Sequence, residues 1–351
     1  MADVWTGPPP GEICIVMLSA LGDAVHVLPV ASALKRHWPG TRITWIVQPV
    51  PAKLVEGHPA IDELLVFRRR SGPGAWRAYA ELRDAVHGRR FDLALGLQVY
   101  FKAGVITAML PARVKLGFDR ARARDAQWLF TNRRIPPRAP QHVQDQYFEF
   151  LHALGLDEHP VRWNLAPRPD EREPQERFFA ELGRPACAIV VGTSKPQKNW
   201  DPERYVPVVE AIHRDHGLQP VLVGGPSPLE RAAADHIRTS ARVPVVDALG
   251  DDVRRLLWLL DGSALVVSPD TGPLHIARAL GRPVVGLFGY TNPKRTGPYR
   301  AYEDLVVDGY AEYPGEDYPL AHRYRNGMGR VTPEAVLEKV ALAMERYVRP
   351  R

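Results

Sequence analysis

Four residues suited to binding an anion lie between two short apolar runs in the C-terminal half of the chain. They are Asp270, Thr271, Gly272 and His275. Residues 264–267 and 284–288 predict buried strands, and residues 273–280 between them predict a short helix. A strand, a helix and a second strand form a parallel βαβ unit, whose ligands bind at the carboxyl ends of the strands. Because free backbone amides gather at a helix start, this stretch predicts a phosphate or diphosphate site.

Each of these residues also has an ordinary structural explanation. Asp270 or Thr271 can cap the helix, Gly272 can serve a turn that needs a positive φ, and His275 can be a buried histidine with satisfied hydrogen bonds. Their convergence on one helix end favours an anion site over four unrelated structural roles.

A carboxylate near the N-terminus is a candidate general base. Residues 12–18 form an apolar run that predicts a buried strand of a parallel sheet, and Asp23 follows it closely. A helix reaching about Trp38 comes next. Pro29 favours a helix start after Asp23, because a proline beyond the first turn costs a hydrogen bond. Asp23 then lies in the strand-end loop and faces the ligand-binding edge of the sheet. The alternative is that Asp23 is a helix N-cap.

Further polar and basic residues follow other predicted strands. In the C-terminal half these are Thr193, Ser194 and Lys198, and in the N-terminal half Gln98, Lys102, Arg120, Arg122 and Arg124. Hydroxyl and ammonium groups suit phosphate oxygens, but a surface turn explains the first group equally well. For the arginine run, a solvated loop is the expected role and anion binding is the alternative.

The composition is that of a globular protein with more than one domain. The chain has 351 residues, which suits two domains of about 150 residues each. No apolar run approaches the roughly 18 residues of a membrane-spanning helix, and residues 1–11 lack the basic start and apolar core of a signal peptide. Cys14 and Cys187 lie in apolar runs and predict buried thiols in a reducing compartment, so we expect a cytoplasmic protein.

Basic residues are concentrated in the N-terminal half. Residues 1–168 contain 22 Lys and Arg against 15 Asp and Glu, whereas residues 169–351 contain 24 against 25. We therefore expect the N-terminal half to have an anionic partner, either an acidic small molecule or an anionic membrane surface. Nucleic acid ranks lowest, because no recognisable nucleic-acid-binding motif accompanies the charge.

Alternating predicted strands and helices occur in both halves and define the fold class. Residues 160–174 contain four prolines and much charge, which predicts a linker between two domains. We expect an α/β protein with two Rossmann-like parallel-sheet domains facing each other across a cleft, one for an acceptor (1–165) and one for an anionic donor (166–330). Residues 310–330 have no clear periodicity, and 331–351 predict a C-terminal helix, with Thr332 as its N-cap, that can pack back on the first domain.

These motifs resemble those of the ADP-heptose:lipopolysaccharide heptosyltransferases, glycosyltransferase family 9, which have the GT-B fold. The likeness covers most of the chain and is most specific at residues 270–275, 279–283 and 287–293. Residues 22–29 resemble the N-terminal motif of the family, and residues 198–200 resemble its phosphate-binding lysine motif.

The resemblance implies a role for each candidate residue. Asp23 is then the catalytic base. The nucleotide-sugar site, which holds the diphosphate of ADP-heptose, consists of Thr193, Ser194, Lys198, Asp270, Thr271, Gly272 and His275. The acceptor is the Kdo-bearing inner core of lipopolysaccharide on lipid A, and its candidate contacts are Gln98, Lys102, Arg120, Arg122, Arg124 and His142, the last of which matches a family pattern near the end of the first domain. The resemblance also implies inverting chemistry without a metal or other cofactor, in the cytoplasm at the inner face of the membrane.

Other functions remain open at this level. A nucleotide-sugar epimerase with a similar two-domain fold also binds a diphosphate but needs no acceptor. A related family member can use a different acceptor, and a non-enzymatic nucleotide-binding protein has no need for Asp23.

Overall fold

The structure, a computed structural model, describes residues 4–70 and 72–348 and divides them into two compact units. The first unit extends to Ala139 and resumes at Val143–Asn164, and the second contains Pro140–His142 and continues from Leu165. The observed division after Asn164 lies next to the predicted one.

The first unit is built on a sheet of six parallel strands. They are β1 (Glu12–Val16), β2 (Arg42–Val47), β3 (Glu63–Val66), β4 (Phe91–Gly96), β5 (Ala112–Gly117) and β6 (Arg133–Arg134), in the order β3-β2-β1-β4-β5-β6. The central strands are buried on both faces, which explains their nearly continuous apolar sequences. Because every strand is parallel to its neighbours, the loops that follow the strands lie along one edge of the sheet.

Among the described residues, the first unit contains five α-helices, of which the first four lie between strands and the fifth follows β6. They are α1 (Leu21–His37), α2 (Pro49–Val55), α3 (Ala75–Val86), α4 (Phe101–Met109) and α5 (Val143–Ala153). The predicted late start of α1 is wrong, since the helix begins before Asp23 and contains Pro29. Burial of every residue from 24 to 34 outweighs the single hydrogen bond that Pro29 cannot make.

The second unit has its own six-stranded parallel sheet. Its strands are β7 (Ala186–Val190), β8 (Gln219–Val223), β9 (Val246–Asp247), β10 (Leu265–Pro269), β11 (Val284–Phe288) and β12 (Val306–Asp308), in the order β12-β11-β10-β7-β8-β9. Strand β10 lies between β7 and β11, so the loops after these three strands are neighbours. Two such sheets confirm the predicted fold class.

Seven helices flank this second sheet. They are α6 (Pro169–Glu181), α7 (Pro202–Arg214), α8 (Pro228–Ser240), α9 (Val253–Gly262), α10 (Gly272–Ala279), α11 (Pro293–Thr296) and α12 (Pro333–Ala343). Helix α6 begins inside the predicted linker, so that prediction is wrong for its second half. Its first turn is fixed by Glu171, which accepts a hydrogen bond from the Arg168 amide and pairs with the buried Arg254 guanidinium.

The C-terminal helix belongs to the core of the second unit. Thr332 caps α12, as predicted, by accepting a hydrogen bond from the amide of Ala335. Val336, Val340 and Ala343 are fully buried in the same apolar cluster as the strands of the second sheet. Its packing partner within the second unit is therefore the second sheet. The expected packing on the first domain stays a prediction.

Three glycines bring backbone segments of the second unit into direct contact beneath the loop after β11. A Cβ atom on Gly289 would lie 2.3 Å from the Met328 nitrogen, and one on Gly327 would lie 2.1 Å from the Gly309 carbonyl oxygen. Gly327 also donates a hydrogen bond of 2.8 Å to the Gly289 carbonyl. The two ends of the irregular segment 310–326 therefore lie against each other, and the Gly327 end is also joined to the loop after β11.

Replacing Gly289 with Ala should destabilise the second unit. The new methyl group meets backbone atoms, which cannot move aside as a flexible side chain can, and such overpacking costs about 1–3 kcal/mol. Denaturant unfolding measures the loss. Gly329→Ala is the matched control, because a Cβ atom there meets nothing within 4 Å. Equal stability of the two variants would contradict the close contact.

Candidate active site

The buried carboxylate of Asp270, immediately after β10, is the centre of the predicted anion site. Asp270 is only 4% exposed. The Lys198 ammonium lies 2.7 Å from its Oδ2 atom and donates a second hydrogen bond of 3.0 Å to its backbone carbonyl. The His275 ring nitrogen Nε2 lies 3.5 Å from Oδ1. The hydroxyls of Thr291 and Thr296 also donate to Oδ2.

These contacts keep Asp270 ionised. Burial alone raises the pKa of a carboxyl group, but the positive charge of Lys198 and the hydrogen bond from His275 outweigh it and hold the pKa of Asp270 well below its ordinary range. The negative charge of Asp270 is thus matched by the charge of Lys198. An ammonium has three N–H donors, and two of those on Lys198 are directed to Asp270.

The order of the strands brings these residues together from distant parts of the sequence. Lys198 follows β7, His275 lies on α10, and Thr291 follows β11. Strand β10, which Asp270 follows, lies between β7 and β11 in the sheet. Thr271 is the N-cap residue of α10, but its side chain makes no capping hydrogen bond, and the carboxylate of Asp270 belongs to the cluster instead. The helix-cap alternative is therefore confirmed for the position of Thr271, although its side chain makes no capping hydrogen bond, and it is wrong for Asp270.

The loop after β7 carries the other two predicted donor residues. The Thr193 hydroxyl donates a hydrogen bond of 2.6 Å to the Lys195 carbonyl. It also lies 2.9 Å from the Asn199 side-chain oxygen, which accepts a hydrogen bond from the Thr193 amide. Ser194 beside it is exposed. Thr193 therefore shapes the loop, and Ser194 presents its hydroxyl to solvent.

In the first unit, Asp23 occupies the third position of α1, at the carboxyl end of β1. Its Oδ2 atom accepts a 3.0 Å hydrogen bond from the Ala20 amide, and its Oδ1 atom accepts a 3.2 Å hydrogen bond from the Tyr147 hydroxyl. Asp23 is not the N-cap, since Ala20 holds that position. The carboxylate is half-buried and is held by both oxygens.

Gln98 has a structural role that we did not predict. Its side-chain oxygen accepts a hydrogen bond of 3.2 Å from the backbone amide of Leu18, and its side-chain nitrogen donates one of 2.6 Å to the backbone carbonyl of Ser19. The side chain is buried. Gln98 thus fastens the segment that leads from β1 to Asp23, and both ends of its amide group are used.

Three of the basic candidates lie at the carboxyl edge of the first sheet. Lys102 is the second residue of α4, and burial together with the charge of Arg69 lowers the pKa of its ammonium. Arg120 and Arg124 are exposed and contact aromatic faces, since the Arg120 guanidinium is 4.2 Å from the Trp128 ring centre and that of Arg124 is 5.9 Å from the Tyr100 ring centre. Neither arginine forms an ion pair within the described part of the chain.

Arg122 is different, because its charge is already compensated. Its guanidinium forms ion pairs with Asp119 at 2.5 Å and with Glu149 at 2.6 and 2.8 Å. It also donates a hydrogen bond of 2.9 Å to the Pro136 carbonyl. Glu149 is only 1% exposed. Arg122 therefore joins the loop after β5 to α5, and the expected acceptor contact is replaced by a structural role.

His142 likewise has a structural contact. It belongs to the second unit, where its Nε2 atom lies 3.0 Å from the Gly297 carbonyl oxygen and its ring packs 5.0 Å from the Tyr299 ring. These contacts place His142 in the packing of the second unit, and its role in acceptor binding stays a prediction.

The sequence-based set of site residues lacks three side chains that the structure places on the candidate carboxylates. Thr291 and Thr296 contact Asp270, and Tyr147 contacts Asp23. The position of Thr291 just after a predicted strand was a usable signal. Thr296 and Tyr147 gave no signal of their own, because they lie inside helices far from their partners in sequence.

Two parallel sheets with polar clusters at their carboxyl edges are the architecture of GT-B glycosyltransferases. The chain aligns along nearly its whole length with the Escherichia coli heptosyltransferase WaaC in complex with ADP (TM-score 0.73, 22% identity, 96% of this chain and 99% of that one). It also matches a family 9 glycosyltransferase from Veillonella parvula (TM-score 0.79, 20% identity, 95% and 97%). These similarities establish the fold.

The sequence identifies the family within that fold. The family model for glycosyltransferase family 9 (heptosyltransferase) matches residues 79–318. The chain is 32% identical to the lipopolysaccharide core heptosyltransferase OpsX of Haemophilus influenzae over 85% of this chain and 84% of that protein. The chain belongs to glycosyltransferase family 9, and it is an enzyme of the heptosyltransferase type.

Removing the charge of Arg122 should destabilise the first unit strongly. Arg122→Ala leaves Glu149 buried without its partner, and breaking a buried ion pair in this way costs about 3–5 kcal/mol. Thermal and denaturant unfolding measure the loss. Arg120→Ala is the control and should cost less than about 1 kcal/mol, because its guanidinium is exposed. Adding Glu149→Gln to Arg122→Ala should restore part of the stability, and a failure to do so would argue against the ion pair.

Proposed function

We propose that this protein is an inverting, metal-independent glycosyltransferase that transfers a heptose from ADP-heptose to the Kdo-bearing inner core of lipopolysaccharide. The observation that carries the proposal is the Lys198–Asp270–His275 cluster at the start of α10 in a chain of family 9. The name of OpsX, a lipopolysaccharide core heptosyltransferase, supports the acceptor class, and the ADP complex of WaaC supports the nucleotide.

Lys198 is our candidate for stabilising the leaving diphosphate. When the bond between the sugar and the diphosphate breaks, negative charge grows on the phosphate oxygens. The two hydrogen bonds from Lys198 to Asp270 orient its third N–H, which is the one left for a phosphate oxygen. The first amides of α10, at Thr271 and Gly272, lack carbonyl partners within the helix and supply further donors. Ser194 and Thr193 complete the proposed donor site.

Asp23 is our candidate for the general base. Inversion needs one carboxylate to take the proton from the acceptor hydroxyl while the sugar passes through an oxocarbenium-like transition state. Each carboxylate oxygen of Asp23 accepts one hydrogen bond from the protein, and each has a second lone pair. The carboxylate is therefore fixed in direction and still able to accept a proton.

The direct test is to incubate the protein with ADP-heptose and truncated lipopolysaccharide and to follow ADP release. Asp23→Asn should lower kcat about 10²–10⁴-fold with ADP affinity unchanged, because only the base is lost. Lys198→Ala is the contrasting variant and should weaken ADP binding as well as kcat, because it acts on the leaving group. Full turnover by Asp23→Asn would refute the assignment of the base. Conversion of the donor without ADP release or acceptor would favour the epimerase alternative.

We propose that the basic edge of the first sheet, formed by Lys102, Arg120 and Arg124, binds the acidic acceptor. In the parts of the chain that the structure describes, no helix is both long and apolar enough to cross a bilayer. The basic edge supports the proposal that the protein meets its acceptor peripherally, in the cytoplasm at the inner face of the membrane. Exposed basic side chains are attracted to anionic lipid headgroups over about one Debye length.

Neutralising this basic edge should weaken acceptor binding selectively. The triple change of Lys102, Arg120 and Arg124 to Gln should raise the acceptor KM about tenfold at low salt and leave ADP affinity unchanged. Salt near 0.15 M should shrink the difference, because it screens charges beyond about 8 Å. Steady-state kinetics across a salt series measures both effects.

A control for total charge uses three exposed arginines of the second unit. Arg177, Arg214 and Arg238 lie on α6, α7 and α8 and form only exposed pairs within their own helices. Changing them to Gln should leave the acceptor KM unaltered. Equal effects of the two triple variants would mean that net charge, and not the basic edge, attracts the acceptor.

A further inference from the structure

Helices α1 and α5 are joined by a buried pair of reciprocal hydrogen bonds. The His26 Nδ1 atom lies 2.9 Å from the Gln144 side-chain oxygen, and the Gln144 side-chain nitrogen donates 2.8 Å to the His26 carbonyl. His26 is 4% exposed and Gln144 is fully buried. Because a buried amide group is destabilising without hydrogen-bond partners, this pair fixes the register of the two helices.

One helical turn away, the same two helices are joined at Asp23. Asp23 precedes His26 by three residues on α1, and Tyr147 follows Gln144 by three residues on α5, so each pair lies on one helix face. The Tyr147 hydroxyl donates 3.2 Å to Oδ1 of Asp23. The Tyr147 side chain is buried, whereas Asp23 is half-exposed. A rigid, buried donor is thus directed at the accessible carboxylate.

The two hydrogen bonds to Asp23 restrict its rotation. The Ala20 amide binds Oδ2 from the start of the same helix, and Tyr147 binds Oδ1 from the neighbouring helix. Rotating the carboxylate about its χ2 angle breaks at least one of these bonds. With only the Ala20 bond, the group could pivot about Oδ2.

We propose that Tyr147 is a positioning residue for the transfer reaction, and that its hydroxyl holds the carboxylate of Asp23 in the orientation that accepts the proton from the acceptor. This inference rests on the proposed role of Asp23 as the base. The buried ring of Tyr147 contributes to the packing of α5 whether or not its hydroxyl is present. The positioning role therefore belongs to the oxygen atom alone, and Tyr147→Phe removes that atom without removing the ring.

Tyr147→Phe should lower kcat about 10–100-fold, since misplacing a reacting group by about 1 Å has effects of this size. ADP affinity and the acceptor KM should change less than about threefold, because the variant keeps both binding surfaces. Tyr302→Phe is the matched control. It removes a tyrosine hydroxyl bond of 2.7 Å to the Gly281 carbonyl, beyond the C-terminal end of α10, and should leave kcat unchanged.

A double-mutant cycle with Asp23→Asn distinguishes positioning from a general loss of structure. If Tyr147 acts through Asp23, then Tyr147→Phe lowers the residual rate of Asp23→Asn less than about threefold. The same fold loss in both backgrounds would overturn the inference, because it would show an effect independent of Asp23. A wild-type kcat for Tyr147→Phe with an inactive Asp23→Asn would also overturn it, while leaving the proposed function intact. Full activity of Asp23→Asn would instead refute the base itself.

Discussion

The buried charge of Asp270 is the constraint on which the arrangement of the polar cluster after β10 depends. A carboxylate taken out of water must find opposite charge and hydrogen-bond donors, or the fold is destabilised by several kcal/mol. In this protein those partners come from the loop after β7, from α10, from the loop after β11 and from α11. One carboxylate thus fixes four chain segments around the end of β10.

The two units use charge in different ways. In the second unit, the positive charge of Lys198 is matched by the negative charge of Asp270, so the pair adds little net charge at the end of β10. In the first unit, the structure separates arginines that maintain the fold from arginines that remain available. Arg122 forms a buried ion pair with Glu149, whereas the guanidinium groups of Arg120 and Arg124 lie against aromatic rings at the surface. Three arginines at alternate positions of one loop therefore have two distinct physical roles.

Sequence patterns predicted the fold class and the convergence of Asp270 and His275 at the start of α10, because both depend on local signals. The diphosphate site itself stays a prediction. Apolar runs followed by polar strand ends are visible in residues 264–275, and the parallel βαβ arrangement follows from them. Contacts between distant segments were not predictable. Nothing near Gln98 indicates that its amide group fastens the loop before Asp23, and nothing near Tyr147 indicates a partner on α1. The start of α1 was predicted wrongly because the local preference of Pro29 was outweighed by burial of the whole helix.

The place of α12 in the core of the second unit has a consequence for the order of folding during synthesis. All residues of the first unit have been made once residue 164 is reached. The short stretch Pro140–His142 within that range belongs to the second unit. The second unit needs Val336, Val340 and Ala343 to close its apolar cluster. These residues follow every strand of the second sheet in the chain, so the cluster stays open to water until they have been made. Because domains generally fold as units from the N-terminus during synthesis, the nascent second unit is the part of this chain that most needs protection from aggregation.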